Sequence, residues 1–165
     1  MTTRVEVSHE YAHPIATVIG AFTDPDFYLH KFEGIGARDV EVLASDDDGD
    51  VFSVETRRDV PLEVPAALKN LLGSWTTVIQ NEEWVEGEDG EYLNELQINS
   101  EGVPAVVAGS MTLIPTDDGC INEVVIEITC NIPLIGRKVE AFVADNTEEL
   151  LDAEYEFIQG YLDEL

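Results

Sequence analysis

Residues 4–11 alternate. Val5, Val7, His9 and Tyr11 fall on one face, and Arg4, Glu6, Ser8 and Glu10 on the other. That period of two predicts a strand with one buried face. The period then changes. Pro14 suits a first helical turn, and Ile15, Val18, Ile19 and Phe22 recur at helical spacing. Asp24-Pro25 restarts the chain as a capped second helix carrying Phe27, Tyr28 and Phe32, which Gly34 and Gly36 end. Six more strands are predicted. Val40 and Val42 alternate with acids before a turn at 46–50, and Phe52, Val54 and Thr56 then share a face. Strand-like runs follow at 75–85, 92–99, 106–114 and 122–131, separated by turns at 87–90, 102–104 and 117–119. Pro61, Pro65 and Gly73 interrupt the pattern over 59–73, where 65–72 forms a short helix or a flap. Tight turns between successive strands imply an antiparallel meander.

After Ile132-Pro133-Leu134-Ile135-Gly136 the period becomes helical again and runs to Leu165. Ile135, Val139, Phe142, Val143, Leu150, Ala153, Phe157 and Tyr161 share one side, with Asn146 among them. Asp145 and Glu148 have capping-box spacing, which predicts a kink there.

Length bounds this picture. The 165 residues suit one domain, 1–165, with one core. No run of eighteen apolar residues occurs, so no membrane span is expected. The opening Met1-Thr2-Thr3-Arg4-Val5-Glu6 lacks a secretory pattern, and a cytoplasmic location is expected. Cys120 and Cys130 fall on one predicted strand, ~33 Å apart if it is straight, far beyond disulfide reach. Free buried thiols are expected.

Charge changes the picture more. The formal net charge is −27, from 35 acids against 8 basic residues, only three of them lysine. No basic footprint exists to neutralise phosphates, so nucleic acid and anionic membrane surfaces are excluded as partners. The acids are spread through every segment, which fits a solvating surface suited to a saline setting. A basic protein partner is the alternative, and the chain is expected to be a monomer or a weak dimer.

Local motifs point to little chemistry. His9-Glu10-Tyr11-Ala12-His13 matches a zinc-protease pattern in letters, but that chemistry needs both histidines on one helical face. A strand would hold them ~13 Å apart, and Pro14 disfavours helix at His13. Asp46-Asp47-Asp48-Gly49-Asp50 suggests calcium, yet Val51 and Arg57 stand where an EF-hand loop needs glycine and glutamate. Ser110 follows a glycine but lies in a strand. No cofactor, metal or catalytic set is expected.

One strand, two small helices, six strands and a long terminal helix resemble the helix-grip arrangement of the START-like superfamily, also called SRPBCC, polyketide cyclase-like or Bet v 1-like. Tyr11-Ala12-His13-Pro14-Ile15-Ala16-Thr17-Val18 followed by Phe22-Thr23-Asp24-Pro25 is similar to its first strand-to-helix junction. More specifically, the chain resembles a bacterial family known only as a domain of unknown function. The matching segments are Glu82-Glu83-Trp84, Gly109-Ser110-Met111-Thr112-Leu113-Ile114-Pro115, and the most specific block, running from Glu127 through Cys130-Asn131-Ile132-Pro133 to Glu140. The resemblance implies an α+β helix-grip fold, a curved antiparallel sheet of about seven strands around the C-terminal helix. It also implies a cavity between sheet and helix for a hydrophobic small molecule, lipid-like or aromatic. It brings no catalytic residue.

Polar residues on inward faces are the better lead: His9, Tyr11, Thr56, Arg58, Tyr92, Asn94 and Asn146. A mostly apolar pocket needs only a few such groups to orient a guest. A buried Arg58 needs an anion, either an internal acid or a ligand carboxylate. Phe52, Leu96, Ile98, Met111, Ile126, Phe142 and Val143 either line a pocket or fill a core. A guest burying ~300 Å² of apolar surface would gain ~7 kcal/mol. Association costs would leave modest affinity without polar anchors. Three readings follow: a binding or carrier protein, a cyclase-, dehydratase- or hydrolase-type enzyme in the same cup, and an acidic interaction module with a filled core. The enzyme reading needs a polar pair, His9 with an acid or Tyr92 with Arg58, converging on a cavity.

Overall fold

In the computed structural model, which describes residues 2–165, the change of hydrophobic period along the chain becomes a change of element. Strand β1 (Thr2–Tyr11) leads into α1 (Ile15–Phe22) and α2 (Pro25–Gly34). Six strands follow: β2 (Arg38–Asp47), β3 (Val51–Pro61), β4 (Trp75–Glu86), β5 (Tyr92–Ser100), β6 (Val106–Thr116) and β7 (Gly119–Thr129). Helix α3 (Gly136–Asp163) closes the chain. The strands form one antiparallel sheet in the order β1-β7-β6-β5-β4-β3-β2. The fold is the α+β helix-grip arrangement. No helix among the described residues is long and apolar enough to cross a membrane.

Local chemistry explains most boundaries. The Asp24 side chain accepts from the Asp26 backbone N–H while Pro25 takes the first helical position, as its fixed φ allows. The 46–50 turn is held by its own acids: Asp47 accepts from Gly49 N–H, and Asp48 from the N–H groups of Asp50 and Val51. These carboxylates are occupied as turn caps. His9 projects from a strand, and the helix that a zinc-protease motif needs does not form. Both cysteines are buried and free.

Three expectations shift. Strand β3 continues to Pro61, into the segment read as interrupted, because residues 59–61 still pair with residues 75–77 of β4. Beyond it only one turn of 3-10 helix forms, Ala66–Leu68, and Leu68 and Leu72 bury themselves against Cys130 and Val139. Helix α3 runs unbroken through Asp145 and Glu148. Its buried residues are Gly136, Val139, Glu140, Ala144, Ile158 and Leu162, so of the predicted stripe only Val139 is fully buried. Phe142, Val143, Leu150, Ala153, Phe157 and Tyr161 are half-buried: the first three border a space beneath the helix, and Phe157 and Tyr161 pack on the aromatic core. The reason is a change of partner: the first half of α3 packs on the aliphatic part of the sheet, and its last turns pack on α1 and α2.

The block from Glu127 to Glu140 proves to be a latch. Glu140 accepts the Cys130 backbone N–H at 2.9 Å and the Thr3 hydroxyl at 2.7 Å, tying the end of β7, the start of β1 and α3 together. These donors hold its carboxyl below the usual range. At Gly136 a Cβ would stand 2.6 Å from the Cys130 carbonyl oxygen, so only glycine lets the helix start this close to the strand end.

Candidate functional site

Cross-strand register decides which inward residues meet. One row across the concave face runs Thr56, Gln80, Ile98, Val107 and Ile128. The next runs Val54, Glu82, Leu96, Gly109, Ile126 and Val5. A third runs Phe52, Trp84, Asn94, Met111, Val124 and Val7. Where the rows carry aromatics, under α1 and α2, the interior is filled by Tyr11, Phe22, Phe27, Tyr28, Phe52 and Trp84 in ring contact. Where they carry aliphatics, under the first half of α3, a cavity of about 100 Å³ remains.

The cavity's sheet wall includes Val78, Leu96, Ile98, Val107, Met111 and Ile126, and its helix wall includes Phe142, Val143, Asn146 and Leu150. A groove of about 390 Å³ lies outside it, between α3, the end of α2 and residues 60–65. Arg58, Val60, Phe142, Asn146, Leu150 and Glu154 line both spaces, so the two meet at these side chains. A smaller chamber of about 40 Å³ extends toward the aromatic end, past His9, Tyr11, Asn122 and Glu82. Lys31, Met111, Val124, Leu151 and Glu154 are shared between it and the cavity. Two other large hollows are shallow: one on the opposite face of the sheet, lined by Glu83, Glu95 and Glu127, and one beside Arg38, Asp59, Trp75 and Glu101.

Of the residues singled out in sequence, Arg58, Leu96, Ile98, Met111, Ile126, Phe142, Val143 and Asn146 line the cavity. His9 and Tyr11 face the small chamber instead. Phe52, Thr56, Tyr92 and Asn94 line neither space. Phe52 and Tyr92 belong to the aromatic packing, and Asn94 donates to Glu82 at 3.1 Å. Thr56 is fully buried in β3.

A polar chain crosses the boundary between the two ends. Arg58 Nη2 donates to Gln80 Oε1 at 2.9 Å, and Gln80 Nε2 donates to Glu82 Oε2 at 2.7 Å. Lys31 pairs with Glu154 at 2.9 Å, with its ammonium against the rings of Phe27, Tyr28 and Phe32. The Arg58 guanidinium stacks 3.8 Å from the Phe32 ring centroid. Burial raises the Glu82 carboxyl, opposed by the Lys31 charge, and pulls Arg58 down to about 10, opposed by Glu154 and Glu82. His9, stacked on Tyr155 at 4.3 Å, is lowered by burial against the pull of Glu154 and Asp152. The Tyr11 phenol is pushed up by burial and by Glu154.

Lys31, Gln80, Glu82 and Glu154 were missed in the sequence, although a signal existed. Lys31 interrupts the apolar helical stripe of Phe27, Tyr28 and Phe32, and Gln80 and Glu82 are in phase with Val78 and Trp84. Glu154 falls outside the predicted α3 stripe.

Comparison with known proteins agrees with this architecture. The solved aromatase/cyclase Zhui from Streptomyces sp. R1128 is similar at a TM-score of 0.68 and 12% identity, over 99% of this chain and 94% of that one. Norcoclaurine synthase from Thalictrum flavum is similar at 0.63 and 16%, over 100% and 88%. Ara h 8.0201 is similar at 0.61 and 14%, over the whole of both chains. At these identities the likeness is one of fold, the Bet v 1-like helix grip. No curated protein matches in sequence. The chain belongs to DUF2505, described as a protein of unknown function, whose sequence profile matches residues 6–162.

Proposed function

We propose that this DUF2505 member binds or carries a small hydrophobic molecule between the sheet and α3. The carrying observation is the aliphatic cavity that meets an open groove alongside the helix. A fold typical of hydrophobic-ligand binding supports the reading, as does the wall itself, mostly apolar with a few polar groups. Residues 60–65 form one rim of the groove, and Leu68 and Leu72 anchor the segment that follows. Widening of this rim is the proposed route of access.

Catalysis has weaker support. Tyr92 and Arg58 do not converge on one space. His9 and Glu154 face a common chamber, but at about 40 Å³ it suits a water-sized guest more than a substrate. A filled-core interaction module fits poorly with a hollow interior.

The test is titration with a neutral apolar fluorophore, N-phenyl-1-naphthylamine. Saturable one-to-one enhancement is expected. Val143→Trp, which fills the cavity from the helix side, should remove it while leaving the thermal transition cooperative. Absence of binding to the unaltered chain, or unchanged binding after filling, would sink the reading.

A further inference from the structure

We propose that the guest is an apolar carboxylic acid whose carboxylate is held by Arg58 where the cavity meets the groove. This rests on the cavity reading and adds the chemistry of the head group. Three observations converge on Arg58. It is 7% exposed, and its Nη1 has no hydrogen-bond partner while Nη2 is engaged by Gln80. The Phe32 ring covers one face of the guanidinium, which fixes the plane of its donors. Arg58 also lines both the cavity and the groove, so a head group bound there leaves its tail free to reach Leu96, Ile98 and Ile126.

Charge selects the anion. The polar chain holds two cations, Lys31 and Arg58, and two carboxylates, Glu82 and Glu154. Glu154 is in direct contact with Lys31, and Glu82 is held by the neutral amides of Gln80 and Asn94. Among the described residues no carboxylate lies within ion-pair distance of Arg58. A buried guanidinium with a free N–H edge is costly unless an acceptor completes it, and a carboxylate matches that fork in charge and planarity. A cationic amphiphile would meet Glu154 already paired with Lys31, and Glu82 already accepting from Gln80 and Asn94. Glu63, Asp145 and Glu149 stand at the rim, but acids cover this chain's whole surface and single out nothing there.

The experiment displaces N-phenyl-1-naphthylamine from the full chain with octanoate or with its uncharged methyl ester at neutral pH. The acid should bind at least about tenfold more tightly, as one added charge-assisted contact implies. In Arg58→Met the preference should vanish while the ester still binds. Arg58→Lys, which keeps the charge and loses the fork, should retain part of it. Equal binding of acid and ester to the unaltered chain overturns this proposal alone, and that comparison does not depend on any variant folding. An acid preference that survives Arg58→Met overturns it too. If the fluorophore and both ligands fail to bind, the cavity reading falls and this one with it.

Discussion

The two ends of the interior are built on the same sheet and differ in what fills them. Under α1 and α2, rings from β1, β3, β4 and both helices interlock, and little space is left. Under the first half of α3, the facing side chains are Leu96, Ile98, Val107, Ile126 and Val143. Aromatic side chains each carry a large contact area across a wide gap, whereas branched aliphatics end short of it. The aromatic end therefore serves as a rigid base, and the aliphatic end is where a guest has room. Between them, Lys31, Glu154, Arg58, Gln80 and Glu82 form a polar partition.

That contrast can be broken by truncation. Trp84→Ala at the filled end should cost roughly 3–5 kcal/mol in urea unfolding, since it opens a void among packed rings. Leu96→Ala should cost about 2 kcal/mol, the low end for such a change, because one side of Leu96 already faces empty space. Only the second should strengthen fluorophore binding. Equal costs would mean the ends are packed alike.

An effect of intermediate size is expected at the partition. Lys31→Met should cost about 3 kcal/mol, the lower range for breaking a buried pair. Glu154 keeps some solvent contact and the nearby Arg58 charge, which limits the loss. Adding Glu154→Gln to Lys31→Met should recover part of it. A double variant no more stable than the single one would count against a genuine buried pair.

The smallest effect is a pH dependence at the base. His9 has its pKa lowered in the folded chain, so the unfolded chain binds the proton more readily. Its contribution is present above the ordinary value of 6.5 and is lost as pH falls through the lower folded value. His9→Phe, which preserves the stack on Tyr155, should flatten the stability decline just below 6.5, measured by chemical unfolding across that range. An unchanged decline would assign it to other groups.

Much of this was legible in the chain. The alternation of Val5, Val7, His9 and Tyr11 named the inward face of β1, the Asp24-Pro25 pair named the start of α2, and the segment from Glu127 to Glu140 pointed to the family. The α3 stripe was read in part: Phe142, Val143, Asn146 and Leu150 do face the interior, but Ala144, Ile158 and Leu162 were missed, because periodicity assumes one packing partner and this helix changes partners midway. The partition was missed because Lys31, Gln80, Glu82 and Glu154 look like surface residues until register brings them together.

The sequence by itself determined the order of elements, the inward face of most strands and the acidic exterior, because these follow from local conformational preference and from period. Only the tertiary structure decided which end of the cup is hollow, and which of eight basic residues lie inside beside which acids. Cavity volume is a difference between the space the backbone encloses and the side chains that five strands and two helices send into it. That difference is a property of the packed whole.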